Sequence, residues 1–215
     1  DRPVAIKIFQ GAPDDQSLND FLRECRALGA LDWCGNIITV FGTGRTRHGE
    51  PYLAMEYCPG GSLSTHLTEG ATMSEAQVRH IAAEVGTAIQ IAHDAGILHR
   101  DIKPANILLS RSGAPVLADF GIARLANSST RSTGISGTIA FTAPEILNGE
   151  AATRQADIYS YGATLYSLLT GRSPHALTDR DTTQTMIVRA VSGEGADLTT
   201  LPISDDFRAV LARCL

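Results

Sequence analysis

The chain has 215 residues, a formal net charge of −5 and a sequence isoelectric point near 5.6. Its composition, 43% hydrophobic and 19% charged, is that of a globular protein and excludes a disordered chain, a collagen-like repeat and a coiled coil. The acidic balance also argues against a surface that binds nucleic acid by neutralising phosphates. Of the 18 Lys and Arg residues, only two are lysines, Lys7 and Lys103.

The first elements along the chain are a strand and a helix. Alternating β-branched residues at 4–9 predict a strand that places Lys7 on one of its faces. Ser17, with an acidic residue three positions later, predicts the start of a helix, and Glu24 lies on the apolar stripe of that helix. The apolar members of the stripe are Phe21, Cys25 and Leu28. Because a carboxylate that faces a core needs a partner, Glu24 predicts an ion pair.

Two further strands, at 37–41 and 52–57, precede a break in the pattern. The break is Pro-Gly-Gly at 59–61, which is typical of a boundary between structural units. We therefore expect residues 1–57 to form a small β-rich lobe and residues 58–215 to form a mainly helical lobe.

The second part of the chain is mostly helical in pattern. Helical periodicity predicts helices at 74–95 and 153–169, each followed by glycine, and a last helix beginning at 204. Residues 127–136 are rich in small hydroxyl side chains and predict a mobile loop. Short strands are predicted at 97–98, 107–109 and 116–118.

The cysteines and the apolar runs indicate the cellular setting. The cysteines show neither C-x-x-C spacing nor a histidine at metal-binding distance, which predicts reduced, packed thiols of a cytoplasmic protein. No run of eighteen apolar residues occurs, so we expect no membrane segment in this chain. The chain also starts without Met, which predicts a piece of a longer protein whose membrane anchoring stays open.

The densest cluster of reactive side chains lies at residues 99–106, His-Arg-Asp-Ile-Lys-Pro-Ala-Asn, followed by Asp-Phe-Gly at 119–121. Carboxylate and amide oxygens are hard ligands suited to Mg²⁺ with phosphates completing its shell. A lysine beside a carboxylate suits a phosphoryl group in transfer, because its charge spreads over several oxygens. Any one of these side chains alone is typical of a solvated loop, whereas the whole string indicates phosphate chemistry.

With Val-Ala-Ile-Lys at 4–7 and Ala-Pro-Glu at 143–145, these motifs stand in the order of the protein-kinase set. The chain resembles a bacterial eukaryotic-like (Hanks-type) serine/threonine protein kinase over essentially its whole length. The resemblance implies an α+β, two-lobed kinase fold. It also implies transfer of the ATP γ-phosphoryl group to Ser or Thr hydroxyls of protein substrates.

The resemblance assigns the catalytic roles by position. It makes Asp101 the base that accepts the proton of the substrate hydroxyl, and Lys103 the cation that neutralises the γ-phosphoryl group. It makes Thr138 a bridge to Asp101 that shapes the acceptor site. Asn106 and Asp119 become the ligands of Mg²⁺, with Mn²⁺ as an alternative.

The resemblance also assigns a nucleotide site. Lys7 would contact the α- and β-phosphates and would pair with Glu24, which supplies the partner that the helix pattern demands. The residues that it places around adenine are Ala5, Glu56, Cys58 and Leu108. Ala5 and Leu108 suit a plain core equally well.

Regulation is implied by Arg100, which directly precedes Asp101 as in kinases switched by phosphorylation of the activation loop. The candidate phosphorylation sites are Thr130, Ser132 and Thr133, modified within a dimer of kinases; the alternative is an unmodified, solvated loop. Asp157 resembles the buried helix acid that braces the loop at 99–106, and His99 a core histidine of that brace. The other histidines, expected at the surface or at helix caps, are His48, His66, His80, His93 and His175.

The chain departs from the family at several points. The glycine-rich phosphate loop before Val4 and the last helix are missing, which predicts that the piece alone binds ATP poorly and folds marginally. Ala105 stands where kinases with basic substrates often carry Glu, so no preference for basic substrates is implied. A pseudokinase scaffold is the alternative from the binding class, although Lys7, Asp101 and Asp119 are all present. A kinase of small molecules is a third hypothesis, disfavoured by Lys103 and the segment 137–145.

Overall fold

The contacts divide the chain into two compact units in a computed structural model that describes residues 2–9, 15–67, 71–120, 139–176, 182–194 and 196–215. Within these ranges, the first unit takes residues 2–62, 84–99 and 107–120. The second takes residues 63–83, 100–106 and 139–215, with their gaps. The expected single boundary between residues 57 and 58 stays a prediction, because the two units exchange segments along the chain.

The first unit contains a three-stranded antiparallel sheet. Its strands are β1 (Val4–Ile8), β2 (Val40–Arg45) and β3 (Pro51–Glu56), in the spatial order β1-β3-β2. Lys7 lies opposite Leu53 and Ala5 opposite Met55. Since side chains alternate along a strand, these four residues share one face of the sheet. The intervening β1 side chains, exposed on the other face, are Val4, Ile6 and Ile8.

The strand predicted at 37–41 is wrong in its bounds, because β2 starts at Val40 and runs to Arg45. Ile37 instead forms an isolated parallel bridge with Leu117, and the Ile38 N–H donates to the Leu117 carbonyl at 3.0 Å. Gly42 and Gly44 interrupt the apolar residues of β2, so the sequence pattern did not indicate how far the strand extends. The ring of Tyr52 covers Gly44 so closely that any Cβ there would collide with it.

A second antiparallel pair joins β4 (Ile107–Leu109) to β5 (Pro115–Leu117), which confirms the strands predicted in this region. The strand predicted at 97–98 is wrong. These residues have no strand partner and follow a turn in which the Ile97 N–H donates to the Ala92 carbonyl at 2.9 Å.

Helix α1 (Asp15–Gly29) packs its predicted stripe into the first unit. Phe21, Cys25 and Leu28 are buried, and the rings of Phe9 and Phe21 meet edge to face at 5.0 Å. The helix begins two residues before Ser17, so Ser17 is not its cap. Burial raises the pKa of the Cys25 thiol to about 12, with the charge of Glu24 adding to the effect.

The remaining described helices are α2 (Leu63–His66), α3 (Glu75–Asp94), α4 (Pro144–Leu147), α5 (Arg154–Thr170), α6 (Thr183–Ser192) and α7 (Asp205–Cys214). Helices α3, α5 and α7 confirm the predicted ones within a residue or two. Ser74 and Gln77 form a capping box at the start of α3, with the Gln77 N–H donating to the Ser74 hydroxyl.

Helix α6 was not predicted, because its β-branched residues resemble a strand. It is defined instead at its ends. The Thr182 hydroxyl accepts from the Thr185 N–H at 3.2 Å, and Gly193 closes the helix with φ at 74°.

Helix α5 is the central element of the second unit and is buried along most of its length. The Thr153 hydroxyl caps it by accepting from the Ala156 N–H at 3.2 Å. The Tyr161 hydroxyl donates to the Ala82 carbonyl of α3 at 2.8 Å. One contact fixes the start of α5 and the other joins its middle to α3.

All four cysteines carry free thiols, and Cys25, Cys34 and Cys58 are buried, as expected of packed cysteines. Within the described ranges, every helix is too short or too polar to cross a bilayer.

Candidate active site

The loop that carries Asp101 forms a compact cluster of polar side chains in the second unit. The Lys103 ammonium lies 2.9 Å from Asp101 Oδ2, and Asn106 Nδ2 donates to that same oxygen at 2.9 Å. Asn106 Nδ2 also donates to the Asp101 backbone carbonyl at 2.7 Å. A short 3₁₀ turn at Pro104–Asn106 brings the Asn106 side chain back to Asp101. The carboxylate therefore has a defined orientation beside a cation.

Asp157, on α5, is hydrogen-bonded to this loop through its side chain. Its side chain is 2% exposed, and its Oδ1 accepts from the Arg100 N–H at 2.7 Å. Arg100 adopts φ at 65°, a conformation rare for residues with a side chain. Hydrogen bonds to a carboxylate are among the stronger ones, so the bond to Asp157 stabilises Arg100 in this unfavourable backbone conformation. The expected bracing role of Asp157 is thus borne out by the contact.

In the first unit, Lys7 and Asp119 form an ion pair at 2.8 Å. Asp119 adopts φ at 60°. The ring of His99 lies beside this turn, with Nε2 2.9 Å from the Ala118 carbonyl and its centroid 4.5 Å from that of Phe120. His99 is buried, as expected of a core histidine.

Apolar side chains close the space behind the Lys7–Asp119 pair. A cavity of about 10 Å³ remains there, which is the room of about one water molecule. Its lining consists of Lys7, Phe9, Leu28, Ile38, Val40, Leu53, Met55, Asp119 and Phe120. The pair therefore lies against a packed apolar wall contributed by α1 and the sheet.

Three of the predicted adenine-site residues are near one another in the first unit. Met55 and Leu108 pack on a core cluster that includes Cys58, and Ala5 lies opposite Met55 in the sheet. The segment after Cys58 runs along β4, where the Gly60 N–H donates to the Leu109 carbonyl at 3.1 Å. The Glu56 N–H donates to the Thr39 carbonyl at 2.9 Å, so this donor is used within the fold. Burial, with the charge of Glu56, raises the pKa of the Cys58 thiol to about 11, which disfavours the thiolate form.

The roles of two other predicted site residues, Glu24 and Thr138, stay predictions. Glu24 lies half-buried on α1, and its pairing with Lys7 stays a prediction. Thr138 and the candidate phosphorylation sites Thr130, Ser132 and Thr133 lie outside the described residues.

His175, expected at the surface or at a helix cap, is buried and lies outside any helix, so that expectation is wrong for it; His93 is buried in the last turn of α3. His175 bonds the Tyr159 hydroxyl through Nε2 and the Glu194 carbonyl through Nδ1. The partners are 16 and 19 residues away in sequence, and no local pattern at His175 indicates them.

The predicted Mg²⁺ ligands carry oxygen donors of the right kind. Asp119 has carboxylate oxygens and Asn106 has an amide oxygen, and both are hard donors of the kind that Mg²⁺ accepts alongside substrate phosphates. Among the described residues, no group of three His, Cys, Asp or Glu side chains could hold a metal ion by itself.

Comparison with known proteins agrees with the motif order. The protein kinase domain model matches residues 1–215. The chain is 38% identical to serine/threonine-protein kinase PknK of Mycobacterium tuberculosis, over 100% of the chain and 20% of that protein. It is 41% identical to PknL of the same organism (81% of the chain, 44% of that protein). It is 37% identical to the probable serine/threonine-protein kinase PknB of Corynebacterium glutamicum, over 80% of the chain and 28% of that protein.

The small antiparallel sheet and the set of helices give the chain the α+β composition of a protein kinase domain. The chain belongs to the protein kinase family, and its relatives support the bacterial Hanks-type class. It spans about a fifth of the length of the PknK relatives that it matches.

Proposed function

We propose that the protein containing this chain transfers the γ-phosphoryl group of ATP to Ser or Thr hydroxyls of other proteins. The observation that carries the proposal is the Asp101–Lys103–Asn106 cluster, in which a carboxylate, an ammonium and an amide meet within 2.9 Å. The names of the relatives support the same activity.

Asp101 is proposed to orient the acceptor hydroxyl and to take its proton as the oxygen attacks phosphorus. Lys103, already 2.9 Å from the Asp101 carboxylate, would neutralise charge on the transferred group. Asn106 would orient Asp101 through Nδ2 and offer its amide oxygen to the metal. When bound, ATP supplies the phosphoryl group and Mg²⁺ supplies positive charge for its oxygens.

The first unit would supply the nucleotide-binding groups. Lys7 is proposed to bind the α- and β-phosphates, paired with Glu24, and Asp119 to bind Mg²⁺. The 2.8 Å contact between Lys7 and Asp119 supports this proposal, because the cation that would bind phosphate and the carboxylate that would bind Mg²⁺ lie side by side. Ala5, Leu108 and the backbone at Glu56 and Cys58 are proposed to hold adenine.

Regulation belongs to the same proposal. Phosphorylation at Thr130, Ser132 or Thr133, within a dimer of kinases, would supply an anion for Arg100, whose backbone is already constrained by Asp157. Thr138 would bridge to Asp101. We place the catalytic domain in the cytoplasm, because free buried thiols suit a reducing compartment.

The test uses the full-length protein with γ-labelled ATP, Mg²⁺ and a Ser/Thr protein substrate, comparing the natural sequence with Asp101→Asn. We expect Asp101→Asn to lower phosphate transfer about 10²–10⁴-fold, because a general base contributes that much. Asp94→Asn is the matched control, since Asp94 is an exposed carboxylate on α3 that bonds to Gln90. Equal labelling by the natural protein and Asp101→Asn would contradict the mechanism. Nucleotide-dependent thermal stabilisation without transfer would favour the pseudokinase alternative.

A further inference from the structure

The second unit contains an open cavity of about 430 Å³ beside the catalytic loop, which we name the α2–α5 pocket. Its volume lies within the range of ligand-binding pockets. Its walls come from α2, the 3₁₀ turn, Phe141 and the end of α5. The lining residues are Ser64, Leu67, Lys103, Pro104, Ala105, Phe141, Ser167, Gly171, Arg172 and Ser173.

The walls of the α2–α5 pocket are mainly apolar. Carbon surface is presented by Leu67, Pro104, Ala105 and Phe141, while the buried Ser167 hydroxyl donates to the Thr164 carbonyl at 2.7 Å. An apolar side chain that enters such a pocket is stabilised by about 25 cal/mol for each Å² of surface that it removes from water.

Among the described residues that line the pocket, Lys103 and Arg172 are the charged side chains and none is a carboxylate. A substrate Lys or Arg would lose hydration there without gaining an acidic partner from these lining residues. The pocket therefore disfavours the basic side chains that a carboxylate at position 105 would attract.

The α2–α5 pocket is next to the proposed site of phosphoryl transfer. Lys103 lines the pocket and also lies 2.9 Å from the Asp101 carboxylate, so one side chain joins the two places. An extended polypeptide advances about 3.3–3.6 Å per residue. A chain that presents its hydroxyl to Asp101 can thus place a side chain in the pocket from about three residues away.

We propose that the α2–α5 pocket receives a large apolar side chain, such as Leu or Phe, of the substrate polypeptide and selects against Lys and Arg. This inference rests on the proposed kinase function and specifies its substrates. The apolar walls favour this occupant over a free anion, and the sign of the charges on the described lining residues favours it over a basic peptide.

The test is a positional peptide library phosphorylated by the full-length protein. Each peptide carries one Ser or Thr, and each neighbouring position is replaced in turn by Leu, Phe, Ala, Glu, Lys or Arg. We expect one position within about three residues of the acceptor to prefer Leu or Phe over Arg by about 10-fold or more in kcat/KM, as differences of a few methylenes in a pocket allow.

Two variants connect that preference to the pocket. Ala105 is exposed, so Ala105→Glu adds a carboxylate to the wall and should switch the preferred residue at that same position from Leu or Phe to Arg. Leu67→Ala removes wall surface and should weaken the preference for Leu or Phe over Ala at that position. Val188→Ala is the matched control, because Val188 is an exposed apolar residue of α6 that does not line the pocket.

The outcomes separate the two proposals. Transfer to peptides with no apolar preference at any position, or a preference unchanged in Ala105→Glu and Leu67→Ala, would overturn the pocket inference and leave the kinase proposal intact. The same results are expected if another segment of the protein fills the pocket. Failure to phosphorylate any peptide or protein would overturn the proposed function and this inference with it.

Discussion

Each of the two lysines of this chain contacts a carboxylate in a motif of the kinase family. Lys7 lies 2.8 Å from Asp119, and Lys103 lies 2.9 Å from Asp101. Arginine is the default cation elsewhere in the sequence, which fits a genome rich in arginine codons. An ammonium is a compact point charge on a flexible stem, whereas a guanidinium is a wide planar fork. We therefore predict that both positions require lysine for geometric reasons.

We predict that Lys7→Arg and Lys103→Arg each lose phosphate transfer although they keep the positive charge. A displacement of about 1 Å in a reacting group can cost about 10²-fold in rate, and the guanidinium cannot occupy the position of the ammonium. Steady-state kinetics of the full-length variants would measure the loss. Arg45→Lys, at an exposed arginine that bonds to the Gly49 carbonyl, is the control. Near-normal turnover in both lysine variants would show that charge alone suffices.

At the level of elements, the packing of α7 against α5 explains a glycine in a helix interior. Glycine is unfavourable there by about 1 kcal/mol relative to alanine. At Gly162, however, an added Cβ would lie 2.5 Å from the Cys214 Cβ, a separation that real structures do not tolerate. Gly162 thus permits α7 to approach α5, and burial there raises the pKa of the Cys214 thiol.

Gly162→Ala is expected to destabilise the protein by about 1–3 kcal/mol, the usual cost of overpacking, despite the better helix propensity of alanine. Chemical denaturation measures this change in the free energy of unfolding. Gly35→Ala provides the comparison, because nothing lies within 4 Å of the Cβ that it would add. If Gly162→Ala proved as stable as Gly35→Ala, the close contact between α5 and α7 would be wrong.

At the level of the whole molecule, the His175 contacts link stability to pH. A carbonyl can only accept, so His175 Nδ1 carries the hydrogen donated to Glu194, and Nε2 accepts from the Tyr159 hydroxyl. Arg189 donates to the His175 carbonyl at 3.1 Å. Burial lowers the pKa of His175, opposed by the bond to the Glu194 carbonyl and assisted by the charge of Arg189. Burial, with the charge of Glu145, raises the pKa of Tyr159 to about 12, so Tyr159 remains a donor.

Because the pKa of His175 is lower in the folded state, the unfolded state binds its proton first as the pH falls. We predict that the free energy of unfolding decreases from pH 7 to pH 5 through this group, with the full stabilisation present above the ordinary histidine pKa of about 6.5. Denaturant titrations at several pH values would show the slope. His175→Gln should flatten it, and His48→Gln, at an exposed position, is the control. An unchanged slope in His175→Gln would assign the pH dependence to other groups.

Much of the fold and of the site could be predicted because their signals are local. Helices α3, α5 and α7 repeat apolar residues at helical spacing, and side chains cap the starts of α3 and α5, so their bounds were predicted closely. The catalytic cluster depends on residues 101, 103 and 106, which are close in sequence and share one short turn. Asp157 was predicted only through the family resemblance, since its partner Arg100 is 57 residues away.

The amino-acid order of this chain is sufficient to establish its class, its helical periodicity and the side chains of its catalytic loop, because each depends on residues that are neighbours along the chain. The burial of His175, the extent of β2, the close approach at Gly162 and the apolar character of the α2–α5 pocket follow from the folded arrangement alone. Each of these features joins segments that are distant in sequence, and the free energy that stabilises them comes from packing between those segments. Such packing leaves no repeating pattern in the sequence by which it could be predicted.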